Sequence, residues 1–510
     1  MSHQNSGARH PRRQPRDHVG QSDDSGEIPI HNLSESRIIV REDHAISRKD
    51  IDPDTLRVLY KLKDAGYESY LVGGAVRDLL MGRKPKDFDL ATDARPRDLR
   101  RLFRNSREVG RRFRLVHVFF GPKNVEVATL RSMVEASSDG SGDLYVEEDN
   151  QWGDLESDSF RRDFTINALY YDIRDFAVID YTGGVQDLHD RLIRCIGDPQ
   201  VRFREDPVRM LRAIKFAARF GYTIEAETDR ALRELGEEIH KASRFRVTEE
   251  IFRILTQANR ERGLRLLHDY GILRVIYPEW LEAIGPDGFA QVAEFFAAVD
   301  KAAEEERYFP LEVLTTGLFL PLLDTVNVEK DHFHRIASRV TSEIRTLGIR
   351  MDLPKRLINS AMELLRGQLY MLFFAHLPKR VRRYVTAPFF DLVLRVNELA
   401  FGGVPELAEL QATWTDARKA LRQPLGGSVG TPDRRDIFSF RGATGGGRHN
   451  RGGGGGHRGV LHGSDTEDDD EVGDDAWLEK ETAAWEAEDG APAEGQAEGG
   501  NGGNGKGGRR

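Results

Sequence analysis

The chain has 510 residues, a net charge of −9, 39% hydrophobic and 31% charged residues. That length exceeds what one hydrophobic core usually organises, so several domains are expected. No apolar run approaches the ~18 residues needed to span a bilayer, and the single cysteine, Cys195, excludes an internal disulfide and a Cys-based zinc site.

In chain order, residues 1–45 are rich in Ser, His, Arg, Asp and Gly and predict a disordered segment. No apolar stretch follows their arginines, so no secretory leader is expected, and a reducing cytoplasm fits the cysteine count. Leu56, Leu59, Tyr60 and the run 62–65 share a helical face that Gly66 ends. A strand is expected over 68–72, a Gly73-Gly74 turn, and a helix over 75–81. Phe88 and Leu90 predict a strand, 96–103 a helix, and 116–120 with 125–130 two strands joined at Gly121-Pro122. The polar, acidic stretch 132–159 predicts a loop, and 166–171 with 178–181 resume the apolar pattern. Helical periodicity dominates from Asp206 to about Leu421, broken at Gly221, Gly271 and Pro278. From Gly426 the chain loses core-forming residues, first in a Gly/Arg stretch, then in acid. Residues 465–510 hold 15 Asp/Glu and 4 Lys/Arg, a charge of −11, which leaves +2 for residues 1–464. The acidity thus sits in a tail, and the rest can carry basic surfaces.

The expected fold class is an α/β head followed by an all-α neck and body, with disordered tails. The expected segments are 1–45 disordered, 46–186 the head, 187–260 a helical neck for nucleotide and RNA, 261–425 a helical RNA-binding body, and 426–510 a disordered tail.

Four segments carry chemistry. In LVGGAVRDLL (71–80), Gly73 and Gly74 lie between a strand and a helix, where bare backbone N–H groups can approach a phosphate. Arg77, one turn in, could reach the same oxyanion. A plain tight turn would need the same glycines. In KPKDFDLAT (84–92), Asp87 and Asp89 at i and i+2 would point to one side of a strand, with Phe88 turned to the core. Two adjacent carboxylates suit Mg²⁺, which leaves positions for substrate phosphates, although a solvated acidic turn is the plainer alternative. Glu126, between Val125 and Val127, could complete a trio or simply alternate on a half-exposed strand.

In RRDFTINAL (161–169), Arg161, Arg162, Asp163 and Asn167 suit a triphosphate and a ribose hydroxyl, or a capped helix start. In EDPVRMLRAIKFAARFG (205–221), Asp206 is a good N-cap and Pro207 a good first helical residue. Met210, Ala213, Ile214 and Ala217 would pack inward. Arg212, Lys215 and Arg219 fall on another face, with Arg209 at its edge. That face is either a solvated basic side or a stripe toward nucleotide and RNA.

Together, in this order and spacing, the four segments resemble the class II tRNA nucleotidyltransferase and bacterial poly(A) polymerase family, within the polymerase-β-like superfamily. The likeness runs from about His44 to Gly221 and more loosely through the body, as at Leu353-Pro354-Lys355-Arg356. VGRRFRLVHV (109–118) and the lead-in DHAISRK (43–49) resemble the poly(A) polymerase branch.

The resemblance implies template-independent polyadenylation of RNA 3′ ends from ATP, with release of pyrophosphate. It implies Asp87 and Asp89 as ligands of Mg²⁺, with Mn²⁺ as the alternative ion, Glu126 in support, and Asp163 in the catalytic centre. It implies nucleotide contacts from Gly73, Gly74, Arg77, Arg162, Asp206, Arg209 and Arg212. RNA contacts are expected from Arg111, Arg112, Lys215 and Arg219. RNA-degradation or RNA-chaperone proteins are the expected protein partners, and no membrane is expected. Members of this branch tend to end in a basic tail; this chain ends in Gly/Arg repeats and then acid, although Arg-Gly segments can themselves bind RNA. The rival readings are a CCA-adding tRNA nucleotidyltransferase, a non-catalytic RNA-binding protein, and a phosphohydrolase built on His268-Asp269, which lacks further histidines at workable spacing.

Overall fold

The computed structural model describes residues 38–110, 115–132, 137–138, 144–145, 152–304, 309–324, 326–327, 332–404 and 407–421. Arg111, Arg112, residues 1–37 and the expected C-terminal tail lie outside the described residues, whereas residues 38–45, expected to be disordered, are ordered, because Ile38 and Ile39 pair with β10 and His44 is buried.

Strands β1 (Ile38–Ile39), β2 (Ser69–Val72), β3 (Asp89–Thr92), β4 (Ser106–Val109), β5 (Leu115–Phe120) and β6 (Lys123–Thr129) come first. A separate two-residue pair, β7 (Ser137–Ser138) and β8 (Leu144–Tyr145), follows, then β9 (Leu169–Asp172) and β10 (Ala177–Asp180). Eight strands form one sheet in the order β1-β10-β9-β2-β3-β6-β5-β4. Only β3 and β6 run parallel in it. Helices α1 (Pro53–Asp64), α2 (Gly74–Leu80), α3 (Pro96–Leu102), α4 (Leu155–Phe160) and α5 (Gly184–His189) belong to this head. Asp52 caps α1 by accepting from the N–H groups of Asp54 and Thr55, with Pro53 at the first helical position. Val58, Leu59 and Leu62 are its buried face. Tyr70, Val72, Ala91, Leu130, Leu155 and Tyr170 close one core cluster against the sheet.

Beyond β10 the chain is helical: α6 (Pro199–Glu205), α7 (Val208–Phe220), α8 (Ala226–Leu235), α9 (Arg244–Thr256), α10 (Arg260–Asp269), α11 (Ile272–Ile276), α12 (Pro278–Ala303), α13 (Leu311–Gly317), α14 (Phe333–Arg350), α15 (Lys355–Phe374), α16 (Pro378–Tyr384), α17 (Phe390–Phe401) and α18 (Ala408–Leu421). One short parallel pair, β11 (Leu192–Ile193) with β12 (Thr223–Ile224), interrupts them. Helix α7 carries its core face as expected, with Met210, Ala213, Ile214 and Ala217 buried. It ends at Gly221, whose φ of 72° is a left-handed conformation that glycine adopts without a Cβ clash.

Four local expectations are corrected. The strand expected at Phe88 begins one residue later, so Asp87 precedes β3 and Phe88 is half-buried rather than sealed in the core. The stretch 132–159, expected to be all loop, includes the start of α4, whose first turn closes a capping box between Asp154 and Ser157. Within the neck expected over 187–260, helical periodicity was placed only from Asp206, but α6 already spans Pro199–Glu205. Strand β4 was also missed, because its residues are half-buried or exposed and offer no apolar signal.

Candidate active site

The sheet register assembles one end of the cleft. Asp89 is the first residue of β3. It lies opposite Val72 on one side and, in parallel register, opposite Glu126 on the other. Val72 leads straight into Gly73, so the glycine turn, Asp89 and the mid-strand Glu126 of β6 meet at one level across three adjacent strands. Gly73 has φ 69° and ψ −127°, and a Cβ there would sit 3.4 Å from both the Arg162 Nη1 and the Asn167 carbonyl oxygen. Only glycine occupies such backbone without strain. The Gly73 N–H donates to the Leu169 carbonyl at 2.9 Å, which pins the turn to β9.

The acidic groups act on one another. Asp89 stays partly exposed at the start of β3, yet the groups around it displace enough water to raise its carboxyl to about 6, and the like charges of Glu126 and Asp87 add to it. Glu126 is raised for the same reasons, burial first and then Asp87. His117, opposite Glu126 on β5, places Nε2 3.3 Å from Glu126 Oε1, and burial lowers its own pKa. No group of three or more His, Cys, Asp or Glu among the described residues is placed to hold a metal ion by itself. The donor set instead fits an open site. Hard carboxylate oxygens that repel one another are relieved by a cation that leaves room for phosphate.

The Arg-Arg-Asp segment hangs on a residue that the sequence reading did not single out. Asp158, on α4, is buried and accepts from Arg161 Nε at 2.7 Å, Arg162 Nη2 at 3.0 Å and the Tyr170 hydroxyl at 2.7 Å. Burial alone would raise its carboxyl, yet Arg162 and Arg161 hold it below the usual range. The signal was available, since Asp158 stands three and four residues before the two arginines, a helical pairing distance. Arg162 also donates to the Tyr170 hydroxyl at 2.9 Å.

Asp163 ties this segment to α7. Arg212 Nε donates to Asp163 Oδ2 at 2.6 Å, while Oδ1 accepts from the Phe164 N–H at 2.9 Å and Asn167 Nδ2 at 3.2 Å. Burial pushes the Asp163 carboxyl up, but Arg212 and these hydrogen bonds outweigh it and bring it to about 2.

Asp206 has extended backbone and accepts from the Val208 N–H at 3.3 Å, as a residue capping α7 would. Arg246 of α9 grips Asp206 in a two-pronged pair at 3.0 and 2.8 Å. Arg209 donates to Glu205 at 3.0 Å and to the Arg202 carbonyl at 2.8 Å. Arg162, Asp163, Asp206, Arg209, Arg212 and Arg246 line one cavity of about 390 Å³.

Three expected contacts face elsewhere. Arg77 is buried. Its guanidinium binds Asp78 at 2.7 Å and Asn167 at 2.5 Å and lies over Phe220, so it braces α2 instead of reaching an oxyanion. Lys215 is sealed against Glu250 at 2.5 Å, and burial pulls its ammonium down to about 8. Arg219 leans on Asp78 at 3.5 Å and on the Phe220 ring, toward the head. The basic stripe expected on α7 is therefore largely an internal seam. Burying Ile214 and Ala217 brings the adjacent charged positions against α2 and α9. His268 stacks on the Phe289 ring with centroids 4.2 Å apart and pairs only with the neighbouring Asp269 among the described residues.

Comparison with known proteins gives a consistent set of relatives. Residues 69–194 match the Poly A polymerase head domain, and residues 221–284 match the probable RNA and SrmB-binding site of polymerase A. The chain is 44% identical over 299 residues to the poly(A) polymerase I of Salmonella typhi, covering 56% of this chain and 64% of that one. It is 40% identical over 351 residues to the poly(A) polymerase I of Escherichia coli O6:H1, covering 66% and 75%. A CCA-adding enzyme of Lactobacillus helveticus is 37% identical over 205 residues, 40% of this chain and half of that one. Among solved structures, a tRNA-processing enzyme in its apo form superposes with a TM-score of 0.54 at 25% identity, over 76% of this chain and 95% of that one.

Proposed function

The chain belongs to the bacterial poly(A) polymerase I family, and from that premise we propose that it extends RNA 3′ ends with adenylate from ATP, without a template. The observation that carries the proposal is the meeting of Gly73, Asp89 and Glu126 at the level where β3 begins between β2 and β6, beside the Arg162–Asp163–Arg212 chain. That arrangement sets a phosphate-sized turn against a carboxylate cluster.

In the reaction the RNA 3′ oxygen forms a bond to the α-phosphorus of ATP. The bond from that phosphorus to the bridging oxygen breaks, and pyrophosphate leaves. Asp87 and Asp89, with Glu126 in support, would hold Mg²⁺ or Mn²⁺. Such an ion makes the 3′ hydroxyl easier to ionise and offsets the charge building on the leaving group. Gly73 and Gly74 keep side chains away from the triphosphate. Arg162, fixed by Asp158 and Tyr170, is set to meet phosphate or ribose without first having to be ordered. Arg212 orients Asp163. Asp206 and Arg209, held in place by Arg246 and Glu205, would meet the edge of the base with an acceptor and a donor fork. RNA approaches along the helical part, where the probable RNA-binding match lies. We place the enzyme in the cytoplasm with RNA-degradation or RNA-chaperone proteins as partners. No helix among the described residues is long and apolar enough to cross a membrane.

A CCA-adding activity is the second reading, favoured by the 37% identical CCA-adding relative. The longer matches to poly(A) polymerase I, at 44% and 40% identity, weigh toward adenylate addition. Purified protein given Mg²⁺ and single labelled nucleotides separates the two. Long ATP-dependent ladders on a generic RNA support polyadenylation, and short C-then-A additions confined to a tRNA lacking its CCA end support the second reading.

A further inference from the structure

The far side of the head carries a charged recess that the activity above does not use. Helix α3 and its flanks present Arg95, Arg97, Arg100 and Arg101, all exposed. They line a cavity of about 530 Å³ together with Glu108 and Trp152. Arg101 has only a long contact to Asp98, at 3.8 Å. No carboxylate among the described residues pairs with Arg95, Arg97 or Arg100. Among the lining residues four guanidinium groups face one carboxylate, Glu108, which leaves a positive excess that an added anion would offset. Trp152 leaves 37% of its surface open at the same recess, which is unusual for a large ring that would normally be packed away.

The register fixes where this recess lies. Strand β3 runs from Asp89 to Thr92 and pairs with Glu126 to Thr129 of β6. Arg95 follows the end of β3, and Arg131, just past the end of β6, bridges to Trp152. The recess therefore opens at the opposite end of the strands from the carboxylates, three residue steps or roughly 10 Å along β3. A ligand there need not compete with nucleotide at Asp89.

We propose that the α3 recess is a second binding site for single-stranded RNA, in which the arginines take consecutive phosphates and the Trp152 ring stacks on an unpaired base. Arginines in excess over carboxylate fit a polyanion, and an open aromatic ring adds attraction only for a base that is free to leave a helix. The volume is in the range of sites that hold a nucleotide-sized group. Such a site would anchor RNA upstream while its 3′ end is extended. The inference goes beyond the proposed activity, and its test reads binding alone. A chain that failed to incorporate nucleotide would leave it standing.

The test uses the full chain and a fluorescein-labelled 20-mer of uridylate, titrated from 50 to 200 mM salt, with a 20-base-pair RNA duplex for comparison. The triple variant Arg97→Ala/Arg100→Ala/Arg101→Ala is expected to bind the 20-mer at least tenfold more weakly. Its salt slope should fall by about 2, at roughly 0.7 per lost phosphate contact on a single strand. Trp152→Ala should weaken the 20-mer about tenfold and leave the duplex unchanged, while Trp152→Phe should bind like the parent. ATP binding, measured separately, should be unchanged in all three. Parental affinity and salt slope in the triple variant would overturn the proposal. So would equal loss of the duplex in Trp152→Ala, or loss of ATP binding alongside RNA. Loss of polyglutamate binding with RNA binding retained would also overturn it, since the recess would then take an acidic protein segment.

Discussion

Removing the Arg212 guanidinium gives the sharpest stability prediction. Asp163 accepts from Arg212 at 2.6 Å and sits with only 12% of its side chain exposed. Its carboxyl is held at about 2, against an ordinary value of 3.8. The difference corresponds to about 2 kcal/mol of stability. Because the folded value is the lower one, the unfolded chain takes up the proton first. This stabilisation is complete above about pH 4 and is lost as pH falls through about 2. Arg212→Met should cost about 3 kcal/mol at pH 7, because it strands a buried carboxylate that keeps only Phe164 and Asn167 as partners. Asp163→Asn should cost less and should flatten the acid limb of the stability profile between pH 4 and 2. Urea unfolding, followed through the buried Trp280 and Trp414, can be run on both single variants and the double variant. A coupling energy near 2 kcal/mol is expected. Costs that add to within about 0.5 kcal/mol would refute the idea that this pair ties the segment before β9 to α7.

Other outcomes follow from the same geometry. Asp89→Asn should lower nucleotide incorporation by roughly a thousandfold, the upper range for losing one charge-stabilising group, while its thermal midpoint stays level or rises as repulsion with Glu126 and Asp87 is relieved; incorporation near the parental rate would contradict it. Gly73→Ala should cost about 1–3 kcal/mol from its positive φ and raise the KM for ATP, because the new methyl meets Arg162 at 3.4 Å. Lys215 has a folded pKa of about 8, below its usual 10.5. The unfolded chain then binds more protons between those values, so its contribution to stability rises with pH across the window. Urea titrations at pH 8 and 10 should show that rise in the parent and a reduced one in Lys215→Met.

Much of the head was legible because its chemistry sits at strand ends flanked by apolar residues. Val125 and Val127 face inward, which turns Glu126 outward, and the buried Leu71 and Val72 mark the strand that runs into Gly73. The helical face of α7 was equally readable from its 3.6-residue period. What periodicity cannot report is a partner distant in sequence. Lys215 looked like part of an exposed stripe because Glu250 lies 35 residues away, and Asp206, read as a helix cap, gave no sign of Arg246, 40 residues away. Arg77 looked like a phosphate ligand until Asn167, from another element, was seen to hold it. Strand β4 escaped notice because it is an edge strand, paired only with β5 and without a buried alternating face. The break inside α12 at Gly285, where φ is 64°, lies in the run Gly285-Pro286-Asp287-Gly288, a turn signal that the reading of breaks at Gly221, Gly271 and Pro278 did not include.

The most direct test of the central claim is incorporation of single labelled nucleotides by the purified full chain with Mg²⁺, on a generic RNA and on a tRNA lacking its CCA end. The account predicts long ladders on the generic RNA with ATP, little product with CTP, GTP or UTP, and roughly a thousandfold less from Asp89→Asn. Short C-then-A products restricted to the tRNA, or no product from either RNA, would contradict it.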